Sequence, residues 1–596
     1  MALLSTSCGQ EPVIPETNHN NKQIRYRNGA IDHDRCRRLA AELDVPYVLA
    51  VLLCRRGITT ARTATTFLYP SLGDLPSPFL LKDMDKAVSL VITAFQEKWP
   101  VVIHGDYDLD GISSTALLAR FLRSLSIRAV CHLPDRLTEG YGINKQSIAR
   151  LAPGGGGPAL LITVDCGITA IDEVEFAREQ GFHVIVTDHH EPPDSLPAAD
   201  AIVNPKQEDC SFPFPELAGV GVAFYLAMGI RSRLVEQGTW NKETAPNLRQ
   251  FLDFVALGTV ADVVPLRGLN RILVRAGLEV LTERSSPGIR ALSERARTME
   301  GRITAEDISY RLAPRLNAAG RLGKPELALE LLTCSEPARA RQLAGRLELI
   351  NQERRQLEIE ALDSVLDQCA RQEDEGRAAL VAYGNYHLGI IGIIAARSAE
   401  KYDKPVFVLT DEVAGDQGLL KGSGRSIDGI NLYEVLQQCA ETTIQFGGHA
   451  MAAGLTLHKS SLPGFAETFD RVVAETRQAK QPDQERLIDY RPTAAEIFDE
   501  HFIGLYHKLE PFGQGNPEPV FYLENQKIES SHTLRNHLKY SIRYNGRLFN
   551  GIGFGLADRI EYTRDKPVQL TFTIKNSTFR GEQRLELHAV SIDPTT

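Results

Sequence analysis

Between residues 101 and 205 short apolar runs alternate with amphipathic segments, and this alternation constrains the fold more than any other feature of the chain. Uninterrupted apolar strands between amphipathic helices are typical of a parallel sheet that is covered on both faces. The sequence therefore predicts an α/β domain here. The predicted strands are residues 101–103, 129–133, 159–164, 182–187 and 201–203, and the predicted helices are residues 113–124, 145–151 and 171–180.

The rest of the chain predicts further domains, since 596 residues are too many for one hydrophobic core. A charged helical pattern over residues 326–369 indicates a solvated connector, and a second α/β pattern begins near residue 378. Beyond residue 520, alternating segments separated by turns at 545–546 and 580–582 predict a small antiparallel barrel. The predicted organisation is a disordered tail (1–24), an N-terminal helical cap (25–99), a first α/β domain (100–330), a connector helix (331–370), a second α/β domain (371–474), a linker near 478–485 and an oligonucleotide-binding-like barrel (486–596).

Composition excludes several classes of protein. A hydrophobic content of 43% and a charged content of 24% are those of an ordinary globular chain. The sequence contains no apolar run of about 18 residues and no secretory signal, so we expect a cytoplasmic protein without a membrane partner. The nine cysteines never occur at C-x-x-C spacing, which argues against zinc ribbons and disulfide frameworks. The net charge of −10 still permits a local positive groove for nucleic acid.

Acidic and imidazole side chains follow the predicted strands directly. Because the carboxyl ends of parallel strands meet at one edge of a sheet, we expect these groups to converge. Carboxylates with imidazoles suit two divalent ions such as Mn²⁺ or Mg²⁺ better than thiolate-loving zinc, and paired ions are an apparatus for cleaving phosphate esters. The predicted metal ligands are His104, Asp108, Asp110, Asp165, His189 and Asp262.

Three neighbouring residues have open roles. Asp106 and Asp188 can cap helices or support the ligands, and support is the favoured interpretation. His190 either points into the core or contacts the scissile phosphate.

Cations and backbone amides that can bind phosphate lie among glycines in four segments. For any single arginine a surface salt bridge is the alternative interpretation. Tyr141 can stack on a base or fill the rim of the core, and the aromatic residues of the predicted barrel can bind a strand or fill its interior. The candidates for substrate binding are Arg136, Tyr141, Arg321, Ser423, Arg425, Gly447, Gly448 and His449.

These segments resemble a known superfamily. Residues 104–111, 163–167, 187–190 and 258–262 resemble, in order, the four motifs of the DHH phosphoesterases, and residues 422–426 and 446–449 resemble the DHH-associated domain. Within the superfamily the chain is most similar to the RecJ family of bacterial single-strand-specific DNA exonucleases, through residues 139–142, 317–321, the long connector and residues 511–516. The likeness extends over about residues 30–596.

The resemblance implies an α/β fold in which a parallel-sheet DHH domain is joined by a long helix to a smaller α/β DHH-associated domain, followed by an OB-like barrel. It implies Mn²⁺ or Mg²⁺ dependence and 5′-to-3′ degradation of single-stranded DNA in recombination and repair. It implies a monomer that works with a single-strand-binding protein and a helicase. It assigns the six predicted ligands to two metal ions, and His190, Arg321, Asn317 and Asp188 to catalysis. Arg136, Ser423 and Arg425 would recognise the 5′ end, and Tyr141 would stack on a base. Gly447, Gly448 and His449 would also bind the substrate.

Two alternative functions remain at this point. A DHH hydrolase of short substrates, such as dinucleotides, would have the two α/β regions but would not need the connector and barrel. A nucleic-acid scaffold that has lost its chemistry would have lost ligands, whereas all six ligand positions hold competent side chains.

Overall fold

The computed structural model describes residues 23–153, 157–241, 243–299, 301–411, 418–478, 485–564, 567–579 and 582–595. The predicted tail up to residue 22, most of the predicted linker and the centre of the predicted turn at 580–582 lie outside the described residues. Gln23 and Ile24, which the prediction assigned to the tail, begin the first strand.

Strands are numbered along the chain. They are β1 (Gln23–Tyr26), β2 (Val101–Gly105), β3 (Val130–His132), β4 (Ala159–Val164), β5 (Phe182–Thr187), β6 (Ala201–Val203), β7 (Leu380–Gly384), β8 (Val406–Thr410), β9 (Leu419–Arg425), β10 (Gln445–Gly448), β11 (Ala452–His458), β12 (Glu485–Ile488), β13 (Phe521–Gln526), β14 (Ile528–Leu534), β15 (His537–Tyr544), β16 (Arg547–Gly553), β17 (Val568–Phe579) and β18 (Glu582–Pro594).

Helices are numbered in the same way. They are α1 (His33–Leu43), α2 (Tyr47–Arg55), α3 (Ala61–Leu68), α4 (Met84–Glu97), α5 (Leu109–Arg123), α6 (Lys145–Leu151), α7 (Ile171–Glu179), α8 (Gly219–Glu236), α9 (Leu252–Ala261), α10 (Gly268–Glu283), α11 (Pro287–Ala296), α12 (Ala305–Asp307), α13 (Ala313–Arg321), α14 (Glu326–Thr333), α15 (Pro337–Asp374), α16 (Ile391–Tyr402), α17 (Leu432–Gln438), α18 (Leu462–Gln478), α19 (Ala494–Ile497) and α20 (Glu500–Tyr506).

The chain forms two compact units. The first contains residues up to 69 together with 482–510 and 517–596, and the second contains residues 70–481 and 511–516. The region predicted as a helical cap, 25–99, is therefore divided, because α1 to α3 belong to the first unit and α4 belongs to the second. Within the described residues, we find no helix with the length and apolar character that crossing a bilayer requires.

The first unit is built on a six-stranded sheet in the order β13-β17-β18-β16-β15-β14. The neighbouring strands of this sheet pair antiparallel, as predicted, except for β16 and β18, which pair parallel. Tyr540, Phe549 and Phe572 are buried and fill its interior. Phe554, which directly follows β16, is 57% exposed.

The second unit contains the predicted parallel sheet, in the order β3-β2-β4-β5-β6. All of its strand pairs are parallel. Alternate residues pack on opposite faces: Ile103 and Ile162 join the larger core with α5 and α8, whereas Val102 and Leu161 join a smaller core with α6 and α7. Both faces are covered, as the uninterrupted apolar runs predict.

The second sheet of this unit has the order β10-β11-β9-β8-β7. Only β7 and β8 form a parallel pair, and the remaining pairs are antiparallel. Helix α16 packs against β8 and β9, and α18 shares a core with Phe407. This is the smaller α/β domain that the sequence predicts.

The long helix between the two sheets is α15, of 38 residues. The predicted helix is interrupted after α14 and resumes at Pro337, since proline suits the first turn of a helix. The prediction of a solvated connector is wrong for one face of α15. Leu343 and Val365 on that face are fully buried, and so is the charged side chain of Glu358.

Candidate metal centre

The candidate ligands lie where the strand order of the parallel sheet reverses. The sheet begins with β2, places β3 on one side and then continues on the other side through β4. Open α/β sheets bind ligands outside the carboxyl ends of the strands at such a switch point. Asp106 directly follows β2, and Asp108 lies two residues further along. Asp165 directly follows β4 with a left-handed φ of 59°. The topology therefore brings these acids together.

Helix α5 starts four residues earlier than the sequence predicts. Asp108 caps it by accepting hydrogen bonds from the backbone N–H groups of Asp110 (2.9 Å) and Gly111 (3.2 Å). Gly111 lies in the first turn of this helix. A Cβ atom at Gly111 would come within 2.5 Å of the backbone nitrogen of Asp106, so glycine is required by this close approach.

Two further glycines leave room for the acids. Asp110 accepts hydrogen bonds from the backbone N–H groups of Gly219 (2.6 Å) and Val220 (3.0 Å) at the start of α8. A Cβ at Gly219 would lie 2.6 Å from Oδ1 of Asp165, and one at Gly258 would lie 2.5 Å from Oδ1 of Asp110. Both carboxylates therefore occupy space that any other residue at these positions would fill.

His189 lies at the centre of the cluster. Its Nε2 atom is 3.1 Å from Oδ1 of Asp165, 3.6 Å from Oδ2 of Asp262 and 4.0 Å from Oδ2 of Asp110. Potential ligand atoms lie within 4.8 Å of one another in three overlapping groups. The groups are Asp106 with Asp108 and Asp165, Asp110 with His189 and Asp262, and Asp165 with His189 and His190.

The donor set fits divalent cations. Several buried acceptor atoms have no hydrogen-bond partner in the described part of the chain, namely Oδ1 of Asp106, Oδ1 of Asp165, Nε2 of His189 and Oδ2 of Asp262. Burial, followed by the charges of neighbouring carboxylates, raises the pKa of Asp110 to about 7 and that of Asp262 to about 9. Clustered buried carboxylates need protons or a cation to compensate them, and hard oxygen ligands with imidazole suit Mn²⁺ or Mg²⁺.

His104 lies apart from these groups. Among the described residues it belongs to none of the three sets of potential ligands. Its buried ring meets the ring of His132 edge-on at 4.8 Å, and its Nε2 atom lies 3.3 Å from Oγ of Ser147. Its other ring nitrogen, Nδ1, is buried and has no hydrogen-bond partner among the residues that the structure describes.

His190 is held by Asp188. Nδ1 of His190 lies 2.7 Å from Oδ1 of Asp188, which also accepts the backbone N–H groups of both histidines. Burial alone would lower the pKa of His190, but Asp188 raises it to about 9. In return, despite its own burial, Asp188 has a pKa held below its ordinary value. Asp188 therefore favours the protonated imidazole of His190, whose side chain is 34% exposed.

Asn317 and Arg321 lie on α13. Oδ1 of Asn317 accepts the backbone N–H of Leu109 at 2.8 Å and so fixes the start of α5. Arg321 ends α13 and donates from Nη1 to the carbonyl of Gly389 at 3.3 Å. Burial, followed by the charges of other arginines, lowers the pKa of Arg321 to about 10. Those arginines are Arg136, Arg354 and Arg425, so Arg321 lies in the electrostatic field of three other cations.

The remaining substrate-binding candidates lie on the same unit. Arg136 covers the ring of Tyr107 at 5.2 Å, and Tyr141 is 52% exposed with its hydroxyl 3.4 Å from Nδ1 of His190. Nη1 of Arg425 donates to Oγ of Ser423 at 3.2 Å. The strand register aligns Gly447 with Gly454 and Gly454 with Ser423, and exposed His449 follows Gly448 at the end of β10.

Three residues near the candidate site were not predicted from sequence. Tyr107 lies between Asp106 and Asp108 in the sequence, and this position could have identified it as a residue of the candidate site. Arg354 resembled any other charge on a long helix, since its burial arises only from packing. Ser147 carries no sequence signal, because its contact with His104 depends on the tertiary fold.

The comparisons with known proteins agree with this arrangement. Residues 100–259 match the model of the DHH family N-terminal domain, residues 376–475 match the DHHA1 domain, and residues 488–591 match the RecJ OB domain. A parallel sheet with acids at its switch point, followed by these two domains, defines a DHH phosphoesterase.

The curated relatives include single-stranded-DNA-specific exonucleases named RecJ. The relative from Dickeya dadantii is 38% identical over 92% of this chain and 97% of its own length. The relative from Escherichia coli is 37% identical over 96% of this chain and 100% of its own length. The relative from Bacillus subtilis is 35% identical, and the chain spans 66% of its length. The crystal structure of RecJ with Mn²⁺ from Thermus thermophilus matches with a TM-score of 0.79 at 29% identity, covering 97% of this chain and 80% of that one.

The chain therefore belongs to the RecJ family. The predicted fold class and the predicted class of enzyme, a metal-dependent nuclease, are confirmed. RecJ has been crystallised with Mn²⁺ and with Mg²⁺, so the predicted kind of metal is confirmed as well.

Proposed function

We propose that this protein is a single-stranded-DNA-specific exonuclease that removes nucleotides from the 5′ end by two-metal hydrolysis, in recombination and repair. One observation carries the proposal. A buried cluster of acids and imidazoles with unpaired acceptor atoms is accompanied, in the same unit, by partly buried arginines whose charges act on Arg321. Cleavage of a phosphodiester near a terminal phosphate needs both a cation site and a phosphate site.

Metal ions would be held by His104, Asp108, Asp110, Asp165, His189 and Asp262. The carboxylate of Asp106 lies within 4.8 Å of ligand atoms of Asp108 and Asp165. Asp106 would therefore support the metal ion that these two residues hold. When bound, the two ions activate water and stabilise the negative charge that develops at phosphorus. Hydrogen bonds from the start of α8 keep Asp110 in place. Gly258, which has no side chain, leaves the space that the Asp110 carboxylate occupies.

The cations would orient the DNA. His190, held as a cation by Asp188, and Arg321 would face the scissile phosphate, because charged donors bind phosphate oxygens strongly. Arg136, Arg425 and Ser423 would bind the terminal 5′ phosphate. Asn317 would act through α5, since its side chain holds the first residue of that helix.

Further contacts would hold the strand. Tyr141 is half exposed and would stack on a base, and Gly447, Gly448 and His449 would bring backbone amides to the DNA. In the first unit, the exposed ring of Phe554 lies 5.1 Å from the ring of His537 and 5.4 Å from that of His588. This aromatic group would supply a stacking surface on the OB domain.

Each segment of the chain would have its own role, and the enzyme would work with partner proteins. Residues 100–330 would catalyse, 331–370 would connect, 371–474 would bind the DNA end and 486–596 would bind the strand, with 25–99 as an N-terminal cap after a tail of 24 residues. The enzyme would act as a monomer in the cytoplasm, where its DNA substrate lies. A helicase would supply single strands to it, and a single-strand-binding protein would accompany them.

Digestion of labelled single strands tests the proposal. The 5′-labelled strand should release labelled mononucleotide at once in Mn²⁺ or Mg²⁺, the 3′-labelled strand should shorten progressively, and EDTA should stop both reactions. Arg425→Ala should weaken use of 5′-phosphorylated DNA, whereas Arg471→Ala, which removes an exposed arginine of α18, should not. Faster cleavage of dinucleotides than of long strands would instead identify a hydrolase of short substrates.

A further inference from the structure

The hydrogen-bonding arrangement around His104 determines which of its ring nitrogens is free. Ser147 lies in α6 and is buried, and its Oγ is 3.3 Å from Nε2 of His104. The same Oγ lies 2.9 Å from the backbone carbonyl of Asn144. A carbonyl only accepts hydrogen bonds, so the hydroxyl hydrogen of Ser147 must be donated to Asn144.

This donation leaves Ser147 as an acceptor toward His104. The hydrogen between Ser147 and the imidazole must therefore belong to Nε2. An imidazole that coordinates a metal is neutral and carries one N–H, so Nδ1 of His104 then holds a lone pair. That nitrogen is the buried atom which has no hydrogen-bond partner among the described residues.

The position of Ser147 is itself fixed. Asn144 caps α6 by accepting the backbone N–H of Ser147 at 2.8 Å, and its Nδ2 atom donates to Oε2 of Glu139 at 3.3 Å. Glu139 also lies 2.9 Å from Nε2 of His132, whose ring packs against His104. The carbonyl that orients the serine hydroxyl therefore belongs to a segment anchored at several points.

We propose that Ser147 is a positioning residue that holds His104 in the Nε2–H tautomer and thereby presents Nδ1 to the metal. The inference rests on the proposed role of His104 as a ligand. Partners that donate to or accept from the outer nitrogen of a ligating histidine fix its tautomer and its ring orientation, and their loss commonly lowers metal affinity ten- to a hundredfold. Ser147→Ala removes the acceptor and leaves a buried N–H unsatisfied.

Two measurements on the full chain test the proposal. Titration of the metal-free protein with Mn²⁺, followed by calorimetry, should show affinity about tenfold weaker in Ser147→Ala than in the unmodified protein. Long-range proton–nitrogen NMR spectra of ¹⁵N-histidine-labelled, metal-free protein should show His104 protonated at Nε2, with the signal assigned by its loss in His104→Ala. In Ser147→Ala that single-tautomer signature should be lost.

Ser398→Ala is the matched control. Ser398 is also a fully buried helical serine, but it lies on α16 of the other sheet, so its truncation should leave both readings unchanged. A proton on Nδ1 of His104 in the unmodified protein would overturn the proposal. So would unchanged Mn²⁺ affinity in Ser147→Ala while His104→Ala loses metal, a result that leaves the proposed function intact. Unchanged Mn²⁺ binding in His104→Ala would overturn both the inference and the assignment of His104 as a ligand.

Discussion

The Nε2 atom of His189 lies 3.1 Å from Oδ1 of Asp165, yet no hydrogen bond within the described chain satisfies either atom. At that distance two buried polar groups normally pair, because an unpaired buried group costs about 1–3 kcal/mol. Both atoms instead have the geometry of ligands that face a common point. This relationship supports the proposal that the cluster binds cations, and it has consequences for stability as well as for activity.

The metal-free protein should lose stability as the pH rises. Asp110 and Asp262 have folded-state pKa values of about 7 and about 9, above the ordinary value of 3.8. A carboxyl with a raised pKa binds its proton more tightly when folded, so its contribution is complete below pH 3.8 and is lost as the pH rises through the folded pKa. Each group lowers the free energy of unfolding by at most about 1.4 kcal/mol per pH unit in that window.

Urea denaturation of EDTA-treated protein at pH 5.5 and pH 8 measures this loss. The decrease should be smaller in Asp110→Asn, which removes one of the titrating groups, and added Mn²⁺ should restore stability at pH 8. A free energy of unfolding that stays constant or increases between these pH values would contradict the prediction.

Gly258→Ala should disable the site without unfolding the protein. Its Cβ would lie 2.5 Å from Oδ1 of Asp110, so the carboxylate must move. We expect DNA cleavage and Mn²⁺ affinity to fall by about tenfold or more, as for other losses of ligand positioning. Gly345→Ala is the control, because the nearest atom to its Cβ, on Arg295, is 3.6 Å away. Gly345→Ala should retain full activity, and its free energy of unfolding should rise by about 0.5–1 kcal/mol because alanine has the higher helix propensity. Equal activity in Gly258→Ala and Gly345→Ala would contradict the prediction.

Val263→Asn should stabilise the protein. Val263 has a φ of 61° and is 65% exposed, so a β-branched residue occupies the left-handed region without burying its side chain. That conformation costs about 1–2 kcal/mol for ordinary residues and less for asparagine. Thermal denaturation should show a gain of about 1 kcal/mol. Val590 is 52% exposed in the strand β18, where valine is favoured, so Val590→Asn should bring no gain in stability. A loss of stability in Val263→Asn would count against backbone strain at Val263.

Glu358→Gln should destabilise the second unit. Glu358 is buried on α15 and lies 2.8 Å from both Arg354 and Arg397. Removing its charge leaves the buried guanidinium of Arg354 uncompensated, which costs about 3 kcal/mol. Chemical denaturation checks the change, and Glu360→Gln, at an exposed position two residues away, provides the comparison. Equal free energies of unfolding for the two variants would rule out an energetic role for this ion pair.

Much of the fold could be predicted from sequence because periodic apolar patterns report local geometry directly. The strands β4, β5 and β6 were predicted with their observed bounds, since uninterrupted apolar runs mark buried parallel strands. The start of α5 was predicted too late because its first turn contains Asp110 and Gly111 of the candidate site. Function at that position overrides the amphipathic pattern.

The candidate site was predictable in composition but not in detail. Acids and histidines after strands indicated a metal centre, because parallel strands end at a common edge. The sequence could not show that Asp106 lies as close to Asp165 as a ligand does, or that Ser147 contacts His104. Such contacts join residues that are far apart in the chain, and only packing brings them together. The same reason explains why the buried face of α15 was missed.

The most direct measurement is an anomalous difference map from crystals grown with Mn²⁺ and recorded at the manganese edge. The account predicts two peaks among the six proposed ligands, which are His104, Asp108, Asp110, Asp165, His189 and Asp262, with Asp106 beside one of them. A map with no peak among these residues, or with manganese bound only elsewhere, would contradict it.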